Sequence, residues 1–353
     1  MLLLAKYLRS DFHIAAACPA ESHLAKQLTD MGIDSFMIPN PPRWPFHYIP
    51  RIMHLIKTSY RIIKIAYNFK PSIIHANSSY AAMASILAVV LIPQRLLWHA
   101  RDLAGLRFTS RICGSFCTRV IAVSNAVKES LIKKGVNPIK IEVVYNGIEL
   151  DTSCCGTPKT VQSKSDNTPI IFANIGQFVP WKKHILFVEA ARRLIQKGAK
   201  AEFLLVGDDI FRRNSKYKVR LLNQIQNSGI AEKIVLLGWQ ENMNEVWAKI
   251  DCLVHTTDCE PFGRVIIEAM GHNVPVIAIN KCGPSEIIQN GETGILVNPD
   301  NIKELSEAML KIAGDKGFAL KLASAAYEYV TSRFSAETTA KHIQKIYQQF
   351  LAA

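Results

Sequence analysis

What most constrains this chain is the regular alternation of short apolar runs, rich in Val and Ile, with longer amphipathic stretches. In the first part the runs are residues 12–17, 35–38, 72–75, 95–99, 120–123 and 141–145. Several are almost continuously hydrophobic, as strands buried on both faces of a parallel sheet are. Helical segments such as 23–31 and 125–134 lie between them, the second preceded by the capping residue Ser124 and ended by Gly135. Repeated strand–helix units require right-handed crossovers, so a doubly wound parallel sheet is predicted.

The alternation stops at residues 151–167 (DTSCCGTPKTVQSKSDN), where Val161 is the one sizeable aliphatic side chain, a linker by composition. It resumes through 170–175, 201–206, 234–237, 252–255 and 274–278 and closes with a helix over about 336–350. A length of 353 residues suits about two domains. The expected organisation is a Rossmann-like domain over 1–150, a linker over 151–168, a second Rossmann-like domain over 169–335, and a terminal helix over 336–353 packing back on the first domain. The two domains are expected to face a central cleft that holds the site. The opening is unusual. Residues 1–10 read as a helix leading into the first apolar run, without the strand and Gly-containing turn that commonly start such a domain.

The longest apolar run, 81–92, is broken by Pro93 and is too short to cross a bilayer, so it is expected to be a buried core helix. Lys6 and Arg9 interrupt any signal-peptide pattern, which points to the cytoplasm. Among the eight cysteines there is no Cys-x-x-Cys pair; Cys113 and Cys117 are four apart and Cys154 and Cys155 adjacent. Reduced thiols, with neither metal nor disulfide, are expected.

The net charge of +13 is unevenly distributed. Residues 1–150 hold 18 Lys and Arg against 8 Asp and Glu, a net of +10, leaving +3 for the rest. A positive field on the first domain suits anionic partners. The stretch 51–70 places His54, Lys57, Arg61 and Lys64 at helical spacing, with Ile52, Leu55, Ile56, Ile62, Ile63 and Phe69 on the apolar side. It follows a stiff aromatic loop at 39–50 (PNPPRWPFHYIP). Either the apolar side lies in the core of an ordinary amphipathic helix, or loop and basic face rest on an anionic membrane. Nucleic-acid binding is not expected, since no helix-turn-helix, zinc finger or basic stripe interleaved with stacking aromatics is present.

The chemistry concentrates in Glu260-Pro261-Phe262-Gly263-Arg264-Val265-Ile266-Ile267-Glu268, continuing to Gly271. A loop after a buried strand turns tightly at Gly263 into a helix, whose first amides lack intrahelical partners and carry the positive dipole end. That is a phosphate site in the making. Glu268, further along the helix, is suited to two vicinal hydroxyls of a ribose. Taken as isolated residues, Glu260 would simply cap the helix and Glu268 would be solvated.

Together with Val274–Ala278, Cys282-Gly-Pro-Ser-Glu286 and Asn290-Gly-Glu-Thr-Gly-Ile-Leu-Val297, this run resembles the nucleotide-sugar signature of retaining family-4 glycosyltransferases (glycosyl transferases group 1) with the GT-B fold. Gly176-Gln177 through Lys182, Leu205-Val-Gly207-Asp208, the segment 235–239 ending at Trp239, 122–125 and 143–148 are similar to further family segments. The resemblance covers about residues 5–350. It implies two Rossmann-like domains and a nucleoside-diphosphate sugar as donor substrate, without a separate cofactor or metal. Glu260 would hold the transferred sugar, Glu268 the ribose, and the amides of Gly263, Arg264 and Val265 the diphosphate. Lys182 would put a cation on the leaving phosphate. Where the family has an arginine, this chain has Gln177, a donor without charge. Pro261, Phe262, Gly176, Gly207 and Trp239 are expected to line the donor site.

In the first domain, Trp98-His99-Ala100-Arg101-Asp102 ends a buried strand. The resemblance implies that His99 lies beside the donor sugar, with Arg101 and Asn77 as candidates for acceptor contact. The expected function is retaining sugar transfer to a saccharide or lipid-linked acceptor in cell-surface polysaccharide or glycolipid assembly. The expected place is the cytoplasm or the inner face of the cytoplasmic membrane. A non-catalytic homologue that binds the nucleotide sugar or a partner is the alternative, and a same-fold epimerase or phosphorylase a third.

Overall fold

The computed structural model describes residues 1–19, 22–40, 48–92, 94–103, 105–149 and 168–352, with backbone only at 48–51. The expected linker at 151–167, most of the aromatic loop (41–47), and Cys154 and Cys155 lie outside the described residues. The chain forms two compact units, Met1–Glu149 with Ser335–Ala353, and Leu150–Phe334.

In the first unit, helix α1 (Leu2–Leu8) leads into strand β1 (Ala15–Pro19), then α2 (His23–Asp30), β2 (Asp34–Ile38), α3 (Tyr48–Phe69), β3 (Ile73–Ala76), α4 (Ser79–Leu91) and β4 (Arg95–Ala100). α5 (Arg107–Phe116), β5 (Arg119–Ala122), α6 (Asn125–Lys133) and β6 (Ile141–Val143) follow, and the terminal helix α14 (Ala336–Ala352) belongs to this unit. All strand pairs are parallel, but they fall into two sheets, β1-β2 and β3-β4-β5-β6. The common doubly wound order, 3-2-1-4-5-6, would set one more strand between the present β1 and β3. Residues 2–8 are helical. Leu8 of α1 packs with Leu97 and Ile121 of the sheet and with Ala340, Ile343, Ile346 and Phe350 of α14. Gly147 makes that return possible. A Cβ there would lie 2.3 Å from the Ser335 carbonyl oxygen, where Ala336 N donates to Ile148 O at 2.8 Å and Thr339 Oγ1 to Tyr145 O at 2.9 Å.

Serine caps set the helix starts. Ser124 Oγ accepts from Val127 N, and Ser78 Oγ from Ala81 N, each at 3.1 Å. The expected core helix at 81–92 is buried only along Ala82, Ala84, Ser85, Ile86 and Ala88; Leu87, Val90 and Leu91 are exposed. The amphipathic reading of 51–70 holds for Leu55, Ile62, Ile63 and Phe69, which are half-buried, and needs correction elsewhere. Ile52 and Ile56 are exposed alongside Lys57, Arg61 and Lys64, whereas Thr58, Ser59 and Ala66 are buried. His54 leaves the basic face, bonding the Tyr80 hydroxyl and Pro39 O.

The second unit is one six-stranded parallel sheet, ordered β12-β11-β10-β7-β8-β9. Its strands are β7 (Ile170–Ile175), β8 (Ala201–Val206), β9 (Ile234–Gly238), β10 (Cys252–His255), β11 (Val276–Ile279) and β12 (Ile295–Val297). Helices α7 (His184–Gln196), α8 (Ser215–Gln226), α9 (Met243–Lys249), α10 (Arg264–Gly271), α11 (Gly283–Ile287), α12 (Ile302–Gly314) and α13 (Lys316–Arg333) connect and cover it. Phe172, Phe187 and Phe203, all fully buried, centre its core, each contributing about 1.5–3 kcal/mol by leaving water.

The expectation of reduced cysteines is overturned at one place. Cys259 and Cys282, 23 residues apart, form a disulfide. They meet because Glu260 and Cys282 make a parallel bridge, with Gly283 N donating to Glu260 O at 3.0 Å. Cys18, Cys113, Cys117 and Cys252 are free and buried.

Candidate functional site

Strand β10 delivers the chain into the loop that carries Glu260, and Gly263 (φ +108°) turns it into α10. At that φ a side chain is strained, so glycine fits. The turn is held from both sides. Phe262 is buried, edge-on to Phe334 at 5.8 Å. Gly283 lies so close that a Cβ would sit 2.2 Å from Phe262 O. The first amides of α10, at Arg264 and Val265, have no carbonyl one turn back.

Lys182 reaches Glu260 from the other side. It ends the short turn Pro180–Lys182 after β7, and its Nζ is 2.5 Å from Glu260 Oε2, with each side chain about one-fifth exposed (18% and 20%). The stem of Lys182 lies across Gly176, where a Cβ would approach its Cδ to 3.3 Å. Backbone and side-chain bonds lock the two loops together. Asp258 N donates to Trp181 O at 2.9 Å, and Thr256 Oγ1 to Lys182 O at 2.8 Å. Asn174 Nδ2 supports Thr256 Oγ1 at 2.9 Å. Asp258 also pairs with Lys183 at 3.4 Å and Lys281 at 3.1 Å.

His255 Nε2, at the end of β10, lies 3.5 Å from Glu260 Oε2 and 3.1 Å from Thr257 Oγ1. Burial alone would raise the Glu260 pKa. The His255 hydrogen bond and the Lys182 charge outweigh it and hold the group at about 2. Glu260 is therefore a fixed carboxylate acceptor, and Lys182 the adjacent cation.

Glu268, on the same helix, is raised above the ordinary carboxylate range by burial, against the pull of Arg264, whose Nη2 donates to Oε1 at 2.9 Å. Neither glutamate is freely solvated. Gly207 (φ +132°) closes the strand ends, since a Cβ there would lie 2.0 Å from Gly176 O. Gln177 is half-buried and Trp239 60% exposed; neither hydrogen-bonds Lys182 or Glu260 among the described residues.

In the first unit, His99, Arg101 and Asn77 do come together. Arg101 Nε donates to Asn77 Oδ1 and its Nη1 to Asn146 Oδ1, both at 3.0 Å. Its Nη2 lies 3.4 Å from His99 Nδ1. His99 is 1% exposed, and its Nε2 has no hydrogen-bond partner among the described residues. Burial and the neighbouring Arg101 push its pKa well below 6.5, so the ring is neutral.

Sequence reasoning missed several members of these clusters. His255 was readable only as the last residue of an apolar strand, and Thr256 as loop. His75 and Tyr347 carry no local signal, because their partners are 24 and 272 residues away; Asn146 lies in the family-like segment 143–148, but nothing local tied it to Arg101. The Cys259–Cys282 spacing matches no known motif.

Comparison with known proteins gives the family. The glycosyl transferases group 1 family model matches residues 158–329 and the glycosyltransferase family 4 model residues 1–152. An Escherichia coli UDP-Gal:alpha-D-GlcNAc-diphosphoundecaprenol alpha-1,3-galactosyltransferase is 24% identical over 87% of this chain and 81% of that protein. An exopolysaccharide phosphotransferase, SCO2592 of Streptomyces coelicolor, is 33% identical over 38% of this chain, but the match spans only 14% of that protein. The crystal structure of Anabaena Alr3699/HepE in complex with UDP and glucose superposes with a TM-score of 0.82 at 23% identity, covering 98% of this chain and 94% of the other. Parallel α/β units, a loop-to-helix turn flanked by two glutamates and these matches agree: the chain belongs to the group 1, family-4-type glycosyltransferases of the GT-B fold.

Proposed function

We propose that the protein transfers a sugar from a nucleoside diphosphate to a saccharide or lipid-linked acceptor in surface polysaccharide or glycolipid assembly, with retention of anomeric configuration and without a divalent metal. The observation that carries the reading is the Lys182–Glu260 pair beside the start of α10. The diphosphate would lie on the amides of Gly263, Arg264 and Val265. Lys182 and the helix dipole would stabilise the charge that develops as the sugar–phosphate bond breaks. Glu260, ionised, would accept hydrogen bonds from sugar hydroxyls, and Glu268 from the ribose. The acceptor hydroxyl would attack from the face the diphosphate leaves, its proton passing to the departing phosphate oxygen. His99, Arg101 and Asn77 would contribute donors to the sugar and acceptor.

The related E. coli enzyme acts on a diphosphoundecaprenol substrate, and the first unit offers a surface suited to such an acceptor. Ile52, Met53, Ile56 and Tyr60 on α3 are each more than half exposed and adjoin Lys57, Arg61 and Lys64. Apolar side chains among basic ones are what an interfacial helix on an anionic bilayer needs. No helix of the described residues is long and apolar enough to cross a membrane.

A thermal-shift panel of UDP, GDP and ADP tests the donor site. A nucleotide at about a hundred times its dissociation constant adds about 2.7 kcal/mol of stability. Turnover of the matching nucleotide sugar, with the product anomer read by NMR, tests the transfer. Glu260→Gln and Lys182→Ala variants with full activity would refute it. A second reading, binding without turnover, is favoured by the two separate sheets of the first unit. Nucleotide stabilisation with no hydrolysis or transfer on any donor would support that reading instead.

A further inference from the structure

A chain of hydrogen bonds in the first unit runs from the terminal helix to His99. The Tyr347 hydroxyl on α14 lies 2.5 Å from His75 Nδ1, and His75 Nε2 lies 3.2 Å from His99 Nδ1. Arg101 Nη2 approaches the same His99 Nδ1 at 3.4 Å. The Tyr347 ring is further held edge-on to Phe12 at 5.3 Å and to His75 at 5.8 Å.

The proton positions along this chain follow from the donor inventory. A guanidinium only donates, so His99 Nδ1 is an acceptor and the proton of this neutral ring sits on Nε2. His75 Nε2 faces that acceptor, so it carries the His75 proton and donates. His75 Nδ1 is then bare and accepts from the Tyr347 hydroxyl. Both rings are kept neutral. Burial and Arg101 lower the His75 pKa to about 3, and burial raises that of the Tyr347 phenol, keeping it a donor. The chain ends at His99 Nε2–H, which is buried and has no partner among the described residues. A buried N–H without a partner is destabilising, and a ligand oxygen would complete it.

We propose that Tyr347 is a positioning residue: acting through His75 and together with Arg101, it holds His99 as the Nε2–H tautomer, so that this N–H donates to an oxygen of the bound sugar donor. The opposite tautomer would present a lone pair there, which a phosphate or carbonyl oxygen cannot use. The assignment deepens the transferase reading and rests on it for the ligand, but the tautomer is a property of the ligand-free protein. The role also gives the terminal helix a function beyond covering the sheet.

The test uses the full chain labelled with 15N-histidine. Long-range 1H–15N spectra of the wild type are expected to show both His75 and His99 protonated on Nε2; either ring protonated on Nδ1 overturns the proposal. In Tyr347→Phe, His75 loses the donor that fixes its tautomer, and His99 is expected to gain an Nδ1–H population while kcat/KM falls at least about tenfold. An unchanged spectrum, or wild-type turnover despite an altered one, refutes the role of Tyr347. Adding His75→Gln to Tyr347→Phe supplies an amide that donates to His99 without needing a tyrosine. It is expected to restore the Nε2–H signal and part of the activity, which a loss of packing alone would not allow. If no nucleotide sugar is turned over by any variant, the transferase reading fails while the spectra still decide the tautomer.

Discussion

Replacing Lys182 by Met keeps a stem of similar length across Gly176 and removes the charge. Its size can be worked from Glu260, whose pKa of about 2 lies some 2.5 units below the ordinary 4.5. At about 1.36 kcal/mol per unit this corresponds to roughly 3 kcal/mol of preference for the carboxylate in the folded state. His255 and Lys182 share it, so the Lys182 part is on the order of 1–2 kcal/mol. A folded pKa below the unfolded one stabilises the protein above about pH 4.5, an effect lost as pH falls through about 2. The variant should therefore melt about 3–6 °C lower at neutral pH, and the gap to wild type should shrink as pH falls from 4.5 towards 2. Turnover should drop about 10²–10³-fold, as when one preorganised group facing developing negative charge is lost. Thermal scans from pH 2 to 8 and single-turnover assays with the matching donor read both effects. Equal acid sensitivity and near-normal turnover would refute the reasoning.

Other outcomes follow from neighbouring features. Replacing Cys259 and Cys282 together by Ser removes a cross-link closing a 23-residue separation and should cost about 3 kcal/mol; a thiol count of non-reduced protein equal to that of reduced protein would show that the bond does not form. Gly207→Ala puts a Cβ about 2.0 Å from Gly176 O at φ +132° and should destabilise by about 3 kcal/mol or more in denaturant titration. Glu268→Gln should raise the nucleoside-diphosphate Kd about tenfold, or about 1.4 kcal/mol, with little change in melting, because its partner Arg264 is 60% exposed; calorimetry reads it. Vesicles with acidic lipid should retain the protein at low salt and release it when Lys57, Arg61 and Lys64 are changed to Ser; no sedimentation at any salt would remove the membrane surface from the account.

Local patterns carried the second unit. Its strands at 170–175, 201–206 and 252–255 are nearly continuous apolar runs, each with one polar residue (Asn174, Glu202 and His255), and burial on both faces leaves that mark on a sequence. The loop and helix that carry Glu260 and Glu268 were legible because a turn, a glycine and an amphipathic run are adjacent in the chain. Strand β12 was not, since three residues are too few for a period to show. The first unit was less readable. Residues 12–17 read as a strand, yet pairing starts at Ala15 because Phe12 and Ile14 pack against the cluster around Tyr347. Likewise Ile52 and Ile56 were grouped with the apolar side from spacing alone, whereas the buried arc of α3 runs through Leu55, Thr58, Ser59, Ile62 and Ala66 and leaves those two out. Hydrophobic spacing gives the period of a helix but not which arc meets the core when polar residues are small enough to be buried. The disulfide and the Tyr347–His75–His99 chain depend on contacts closed by the tertiary fold, and spacing does not encode those.

The backbone amides of Gly263, Arg264 and Val265 report the central claim most directly. In amide NMR of 15N-labelled protein titrated with the nucleoside diphosphate that stabilises it, the account predicts that these three resonances shift together and saturate at the calorimetric Kd. Saturable nucleotide binding that leaves all three unmoved would contradict it.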